Sequence, residues 1–174
     1  MKALLLLLVA VAFPAFAWMP EDFKPIMIER SGGLTENIFD LDHAIKVAQE
    51  KKKLIFIYIS ANDCSWCARY EEFLKTNKEA MKEIFAPYVV ANLFVNTRGG
   101  AKPTFRIGGQ IYNANGFRAL VGDKAGLCYY PCFWALTPDL KQVRQQPRGA
   151  TYYMTVEGHA KLLQSEKDVL AAQK

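Results

Sequence analysis

The chain has 174 residues, 51% of them hydrophobic and 22% charged, which is enough to bury one sizeable core and excludes a disordered or fibrous protein. Its formal charge of +5 raises the possibility of a nucleic-acid partner. The run Lys51-Lys52-Lys53, however, falls where a helix should end and complements the dipole there, so no nucleic acid is expected.

Residues 1–17 carry one lysine, an apolar run from Ala3 to Phe13 and the small-x-small sequence Ala15-Phe16-Ala17, the pattern of a secretory signal cleaved near Ala17. A helix needs roughly 20 apolar residues to cross a bilayer, so a stable membrane anchor is not expected. Export would place the four cysteines where disulfides persist.

Residues 18–37 are mixed in composition and contain Pro20, Pro25, Gly32 and Gly33, which reads as an N-terminal arm with little regular structure. Asp40 stands as an N-cap before Leu41, Ala44, Ile45 and Ala48, apolar positions at helical spacing, and this helix should run to about Lys52. Leu54 to Ile59 is continuously apolar and rich in β-branched and aromatic residues, as a strand covered on both faces requires. A helical stretch from Cys64 to Phe85, broken near Thr76-Asn77, leads to a second buried strand from Tyr88 to Val95.

Between Asn96 and Phe117 the chain is rich in glycine. No phosphate-binding glycine motif is present, and Thr104 to Ile107 with Gln110 to Tyr112 flank Gly108-Gly109 as a surface hairpin or flap. A short helix from Phe117 to Lys124 and a strand from Cys132 to Leu136 follow. Thr137 to Lys141 should turn the chain into an antiparallel strand from Gln142 to Gln145. Thr155 can cap a last helix to about Ala171, with Ala160, Leu163 and Leu170 among its buried positions. This element order describes an α/β fold, a central mixed sheet with helices on both faces.

Cys64-Ser65-Trp66-Cys67 follows the first buried strand and starts a helix. Residues three apart in a helix share a face with Cα atoms about 5 Å apart, within disulfide reach, and the helix N-terminus stabilises a thiolate at the first of them. Cys64 is therefore the candidate nucleophile and Cys67 the resolving thiol. A structural disulfide is a competing reading, although so short a loop stabilises weakly. Cys64 and Cys67 with Cys128 and Cys132 also have the local spacing of zinc half-sites, and His43 or His159 could serve a cysteine hydrolase as base, though both fall on helix faces as ordinary surface residues.

The stretch from Leu54 to Cys67, the helix to Phe85, the strand Tyr88 to Val95, Tyr130-Pro131-Cys132 and the last helix resemble the thioredoxin superfamily over most of the chain. Asp40 to Lys53 leading into Ile55-Phe56-Ile57 and Asn62-Asp63-Cys64 is similar to exported thioredoxin-like domains, including the C-terminal domain of the bacterial transmembrane thiol reductase. The resemblance implies a thioredoxin-like domain over residues 38–174 with an insertion at about 96–117, and a thiol:disulfide oxidoreductase in which Cys64 forms a mixed disulfide with its substrate. It implies no cofactor and no metal, a periplasmic location, exported cysteine-containing proteins as substrates, and a membrane thiol reductase or oxidase as electron partner. It favours reductase or isomerase over oxidase.

The resemblance further implies a cis peptide bond at Pro131, exposing the Tyr130 backbone to an extended substrate chain; Trp66, Tyr129 and Tyr130 are candidates for an aromatic rim that binds partner chains, the alternative being packing against the domain. Two features depart from the family pattern. The buried acid expected six residues before Cys64 is Tyr58, which leaves the proton acceptor to Asp63 or a water. Cys128 and Cys132 would lie about 13 Å apart if extended, so they are either a looped disulfide, as a staple or an auxiliary redox pair, or two separate thiols. The alternative from another class is a binding module that holds copper or zinc, or assembles an envelope complex, without redox turnover.

Overall fold

The computed structural model describes residues 18–33, 35–100, 102–124, 129–141, 143, 153–161 and 163. The first helix, α1 (Asp42–Lys51), begins two residues after Asp40, which ends a strand; its carboxylate accepts the Asp42 N–H at 3.0 Å without being the cap residue. The long apolar run becomes β4 (Leu54–Ala61), buried along its whole length. Asn77 divides α2 (Ser65–Thr76) from α3 (Lys78–Phe85), and β5 (Tyr88–Val95) follows.

The N-terminal arm is more regular than its composition suggests. It holds a 3-10 turn (Glu21–Phe23), β1 (Ile26–Ile28) and β2 (Arg30–Ser31), and β3 (Asn37–Asp40) precedes α1. Strand β1 pairs in parallel with β5, which makes part of the arm an edge strand of the central sheet.

Two four-stranded sheets result. The first has the order β1-β5-β4-β8, where β8 (Cys132–Leu136) runs antiparallel to β4 and places Cys132 opposite Ile59. The second has the order β2-β3-β6-β7, built from β6 (Pro103–Ile107) and β7 (Gln110–Asn113) on β3. The turn between β6 and β7 needs positive φ at both central residues, and Gly108 (φ 55°) and Gly109 (φ 78°) supply it.

The 96–117 segment is thus no mere surface flap. Phe105 and Phe117 are fully buried, their rings stack at 4.1 Å, and both meet the Trp134 ring edge-on. Burial of side chains this large contributes roughly 1.5–3 kcal/mol each. Helix α4 (Ala114–Val121) starts three residues earlier than Phe117, because the Asn113 side chain accepts the Gly116 N–H at 2.8 Å and caps it.

Alternation along β4 divides the core. Ile55, Ile57 and Ile59 face α1, α4 and the second sheet, whereas Leu54, Phe56 and Tyr58 face α2, α3 and the C-terminal segment. Of the expected return strand, Val143 is described, and its N–H donates to the Ala135 carbonyl at 3.1 Å. Residues 156–161 and 163 are helical, Thr155 Oγ1 accepts the Gly158 N–H at 2.9 Å, Leu163 is buried and Ala160 half-buried. Leu170 lies outside the described residues. No helix among the described residues is long and apolar enough to cross a membrane.

Candidate functional site

The site forms where β4 ends. Asp63, at φ 56°, takes the left-handed conformation that short polar side chains tolerate and turns the strand into α2. Asn62 holds this corner: its Oδ1 accepts the Thr97 N–H at 2.6 Å and Oγ1 at 3.1 Å, tying the start of the motif to the chain leaving β5. Cys64 is the N-cap of α2 and Cys67 lies one turn in. The two are joined by a disulfide, with Cα atoms 5.2 Å apart.

Their environments differ. Cys64 is half-buried at the corner, whereas Cys67 is fully buried. The Cys67 N–H donates to Cys64 Sγ at 3.1 Å. In the dithiol form that donor and the helix N-terminus favour a thiolate at Cys64, the sulfur that a substrate can reach. Trp66 is 45% exposed beside the pair, and the Arg69 guanidinium lies 4.9 Å from the centre of its ring.

The Tyr130–Pro131 peptide bond is cis, at the start of β8. Because β8 is the antiparallel neighbour of β4 and Cys132 sits opposite Ile59, this loop lies at the sheet end from which Cys64 projects. Cys64 and Tyr130 pack against the same core cluster. Burial pushes the half-buried Tyr130 hydroxyl up to about 12, while Tyr129 is mostly exposed. Tyr130 and Trp134 also line a cavity of about 450 Å³ with Pro103, Asn113 and Arg118. Cys132 is disulfide-bonded, which removes the reading of it as a separate thiol; Cys128, its expected partner, lies outside the described residues.

The missing strand acid has a counterpart that the sequence reading overlooked. Tyr58 is fully buried, and its hydroxyl donates at 3.2 Å to Oε1 of Glu71, a buried carboxylate on α2. Glu71 stands four residues beyond Cys67, on the same buried helix face. Burial raises the Glu71 carboxyl to about 7, against the opposing effects of the Tyr58 hydroxyl, Lys75 and the Trp18 backbone N–H. The signal for it was present as an i, i+4 relation between Cys67 and an acid.

His159 departs from expectation. Instead of a surface position it occupies a fully buried one among Tyr70, Phe73, Phe85 and Tyr153. Among the described residues neither ring nitrogen has a hydrogen-bond partner, and burial drives the imidazole down to about 3. His43 is exposed on α1. Among the described residues no group of three His, Cys, Asp or Glu side chains converges as metal ligands would.

A family model described as a thioredoxin-like domain matches residues 41–151. An uncharacterised protein of Archaeoglobus fulgidus is 28% identical over 89 residues, which span 51% of this chain and 64% of that protein, so the chain covers less than two thirds of that relative. Among solved structures, a thioredoxin-fold protein from Helicobacter pylori aligns over 71% of this chain and 88% of its own, with 13% identity and a TM-score of 0.35.

Proposed function

From the premise that this chain belongs to the thioredoxin-like domain family, we propose that it is an exported thiol:disulfide oxidoreductase acting on cysteine-containing proteins. One observation carries the reading: a Cys64–Cys67 disulfide at the head of α2, with Cys64 half-buried and Cys67 fully buried. In the reducing direction, the Cys64 thiolate attacks a substrate disulfide. One substrate sulfur leaves as a thiolate, and a mixed disulfide joins the other to Cys64. Cys67 then gives up its proton and attacks Cys64 Sγ, releasing the second substrate thiolate and forming the Cys64–Cys67 disulfide. Two electrons pass from the dithiol to the substrate.

Glu71 is suited to accept the proton of Cys67. A carboxyl raised to about 7 is matched to proton exchange near neutral pH, and the Tyr58 hydroxyl fixes its orientation. The substrate chain would run past Trp66 and along the Tyr130-Pro131 backbone, and a flanking side chain would enter the cavity beside Tyr130. The resemblance to reductive exported domains favours reductase or isomerase, with a membrane thiol reductase as electron source. Cys128 and Cys132 are read as a staple beside the site.

Replacing each cysteine in turn tests the scheme. Cys64→Ala should abolish reduction of a protein disulfide. Cys67→Ala should instead accumulate a mixed disulfide at Cys64, visible as a mass shift that reductant reverses. An unchanged rate in the Cys64 variant would overturn the scheme.

A further inference from the structure

The cavity beside Tyr130 is built from both sheets and tied to the redox corner. Pro103 comes from β6, Ala114 and Arg118 from one face of α4, and Trp134 from β8. Tyr130 precedes the cis peptide bond at Pro131. Thr97, a further wall residue, is held by Asn62, whose Oδ1 accepts its N–H at 2.6 Å two residues before Cys64. At about 450 Å³ the cavity is of the size that takes an organic group rather than a small ion.

Its charge is one-sided. Arg118 and the exposed Lys102 line it, and no described lining residue carries a carboxylate. The acid nearest to Arg118 is Asp123, which lies outside the lining. Asp123 Oδ2 accepts the Trp134 indole N–H at 2.9 Å and stands 3.5 Å from Arg118 Nε, an ion-pair contact longer than a hydrogen bond. Arg118 Nε is buried and has no hydrogen-bond partner among the described residues. Asp123 therefore holds the guanidinium by charge without satisfying that donor. A guanidinium offers five donors in a rigid fork, a shape matched to a second carboxylate. Around it, Pro103, Ala114 and the Trp134 ring supply apolar wall for methylene groups.

We propose that this cavity is a specificity subsite for an acidic side chain, aspartate or glutamate, that flanks the reactive cysteine of a substrate protein. The proposal rests on the oxidoreductase reading above. While the substrate cysteine engages Cys64, the flanking carboxylate accepts N–H bonds from the Arg118 fork, and Lys102 adds a second positive charge. The occupant belongs to a polypeptide because Tyr130 serves both parts: it lines the cavity, and its backbone lies along the path of an extended chain.

The test follows the reduced protein, with Cys64 and Cys67 as thiols, acting on short peptides dimerised through one disulfide. Each peptide carries Glu, Gln or Lys at one of the positions before or after its cysteine. Every rate is divided by that of dithiothreitol with the same peptide, which removes the effect of the added charge on the disulfide itself. At one position or more, Glu should exceed Gln by about tenfold, the scale of one charge-assisted hydrogen bond, and Lys should fall below Gln. Arg118→Gln should bring the Glu and Gln peptides to within about twofold of each other. Lys102→Gln, at an exposed position, should narrow the same gap and decides the matter if the Arg118 variant does not fold. Equal relative rates for Glu and Gln at every position would overturn the proposal and leave the oxidoreductase reading standing. Glutathione disulfide, a free acid, reduced as fast as the best Glu peptide would overturn the assignment to a polypeptide. A protein that reduces none of the peptides overturns both readings.

Discussion

At the residue scale the chemistry rests on unequal burial along one helix face. Cys64 is reachable at the N-terminus of α2, and Cys67, Tyr70, Glu71 and Leu74 continue the buried side of that helix. The cysteines were legible because C-x-x-C spacing fixes their separation whatever the surroundings. The proton acceptor was not, because an acid was sought on the strand at position 58, where a tyrosine stands, and the carboxylate comes from the helix and meets that tyrosine hydroxyl instead. Glu71 has a raised carboxyl pKa in the folded protein, so the stability linked to its neutral form is present below its unfolded pKa of about 4.3 and is lost as pH rises toward about 7. The Tyr58 hydrogen bond relieves that cost by stabilising the carboxylate. Tyr58→Phe should therefore cost about 1.5–3 kcal/mol at pH 8, in the range for hydrogen bonds to charged groups, and less at pH 4. Urea unfolding at the two pH values measures this, and an equal cost at both would contradict the role given to the hydroxyl.

Elements were legible where the hydrophobic pattern is long. Strands β4 and β5 have eight residues each, apolar except for Ser60 and Asn92, and β8 has five buried residues between turn signals. Strands β1 and β2 have three and two residues, too few for any periodicity, and they are defined by pairing, β1 with the distant β5 and β2 with the neighbouring β3. The β6–β7 hairpin was recognised from Gly108-Gly109, but its burial depends on Phe105 meeting Phe117 and Trp134, a contact no local pattern carries. In the C-terminal helix, His159 stands three residues after Val156 and four before Leu163, on the stripe that packs inward. A histidine neutral in the folded state and held near 3 contributes stability that is complete above its unfolded pKa of about 6.5 and is lost as pH falls from there toward about 3. His159→Phe fills the same aromatic box without unpaired ring nitrogens. It should stabilise the protein by about 1–3 kcal/mol at pH 7.5, and by about 2 kcal/mol more at pH 5, where the wild type pays to keep the ring neutral. Thermal unfolding at both pH values checks this; a gain independent of pH would contradict the buried neutral state.

At the scale of the whole molecule, two sheets and their helices converge on one corner. The first sheet delivers Cys64 from the end of β4 and the cis Tyr130–Pro131 bond from the start of β8. The chain between the sheets is secured by Asn37, whose side chain bonds both the carbonyl and the N–H of Asn96 at 2.9 Å, and by Asn62 on Thr97. At the corner Cys67 and Cys132 are buried, while Trp66 and Tyr129 are exposed and Cys64 is half-buried. The most direct test is equilibrium redox titration of the protein in graded glutathione buffers, with thiols trapped by alkylation and mapped by peptide mass spectrometry. Cys64 and Cys67 should interconvert together as a two-electron couple between about −270 and −120 mV, the span from thioredoxin-like reductants to strong oxidants. A pair that stays oxidised below about −300 mV, as structural disulfides do, or thiols that never pair, would contradict an exchange function.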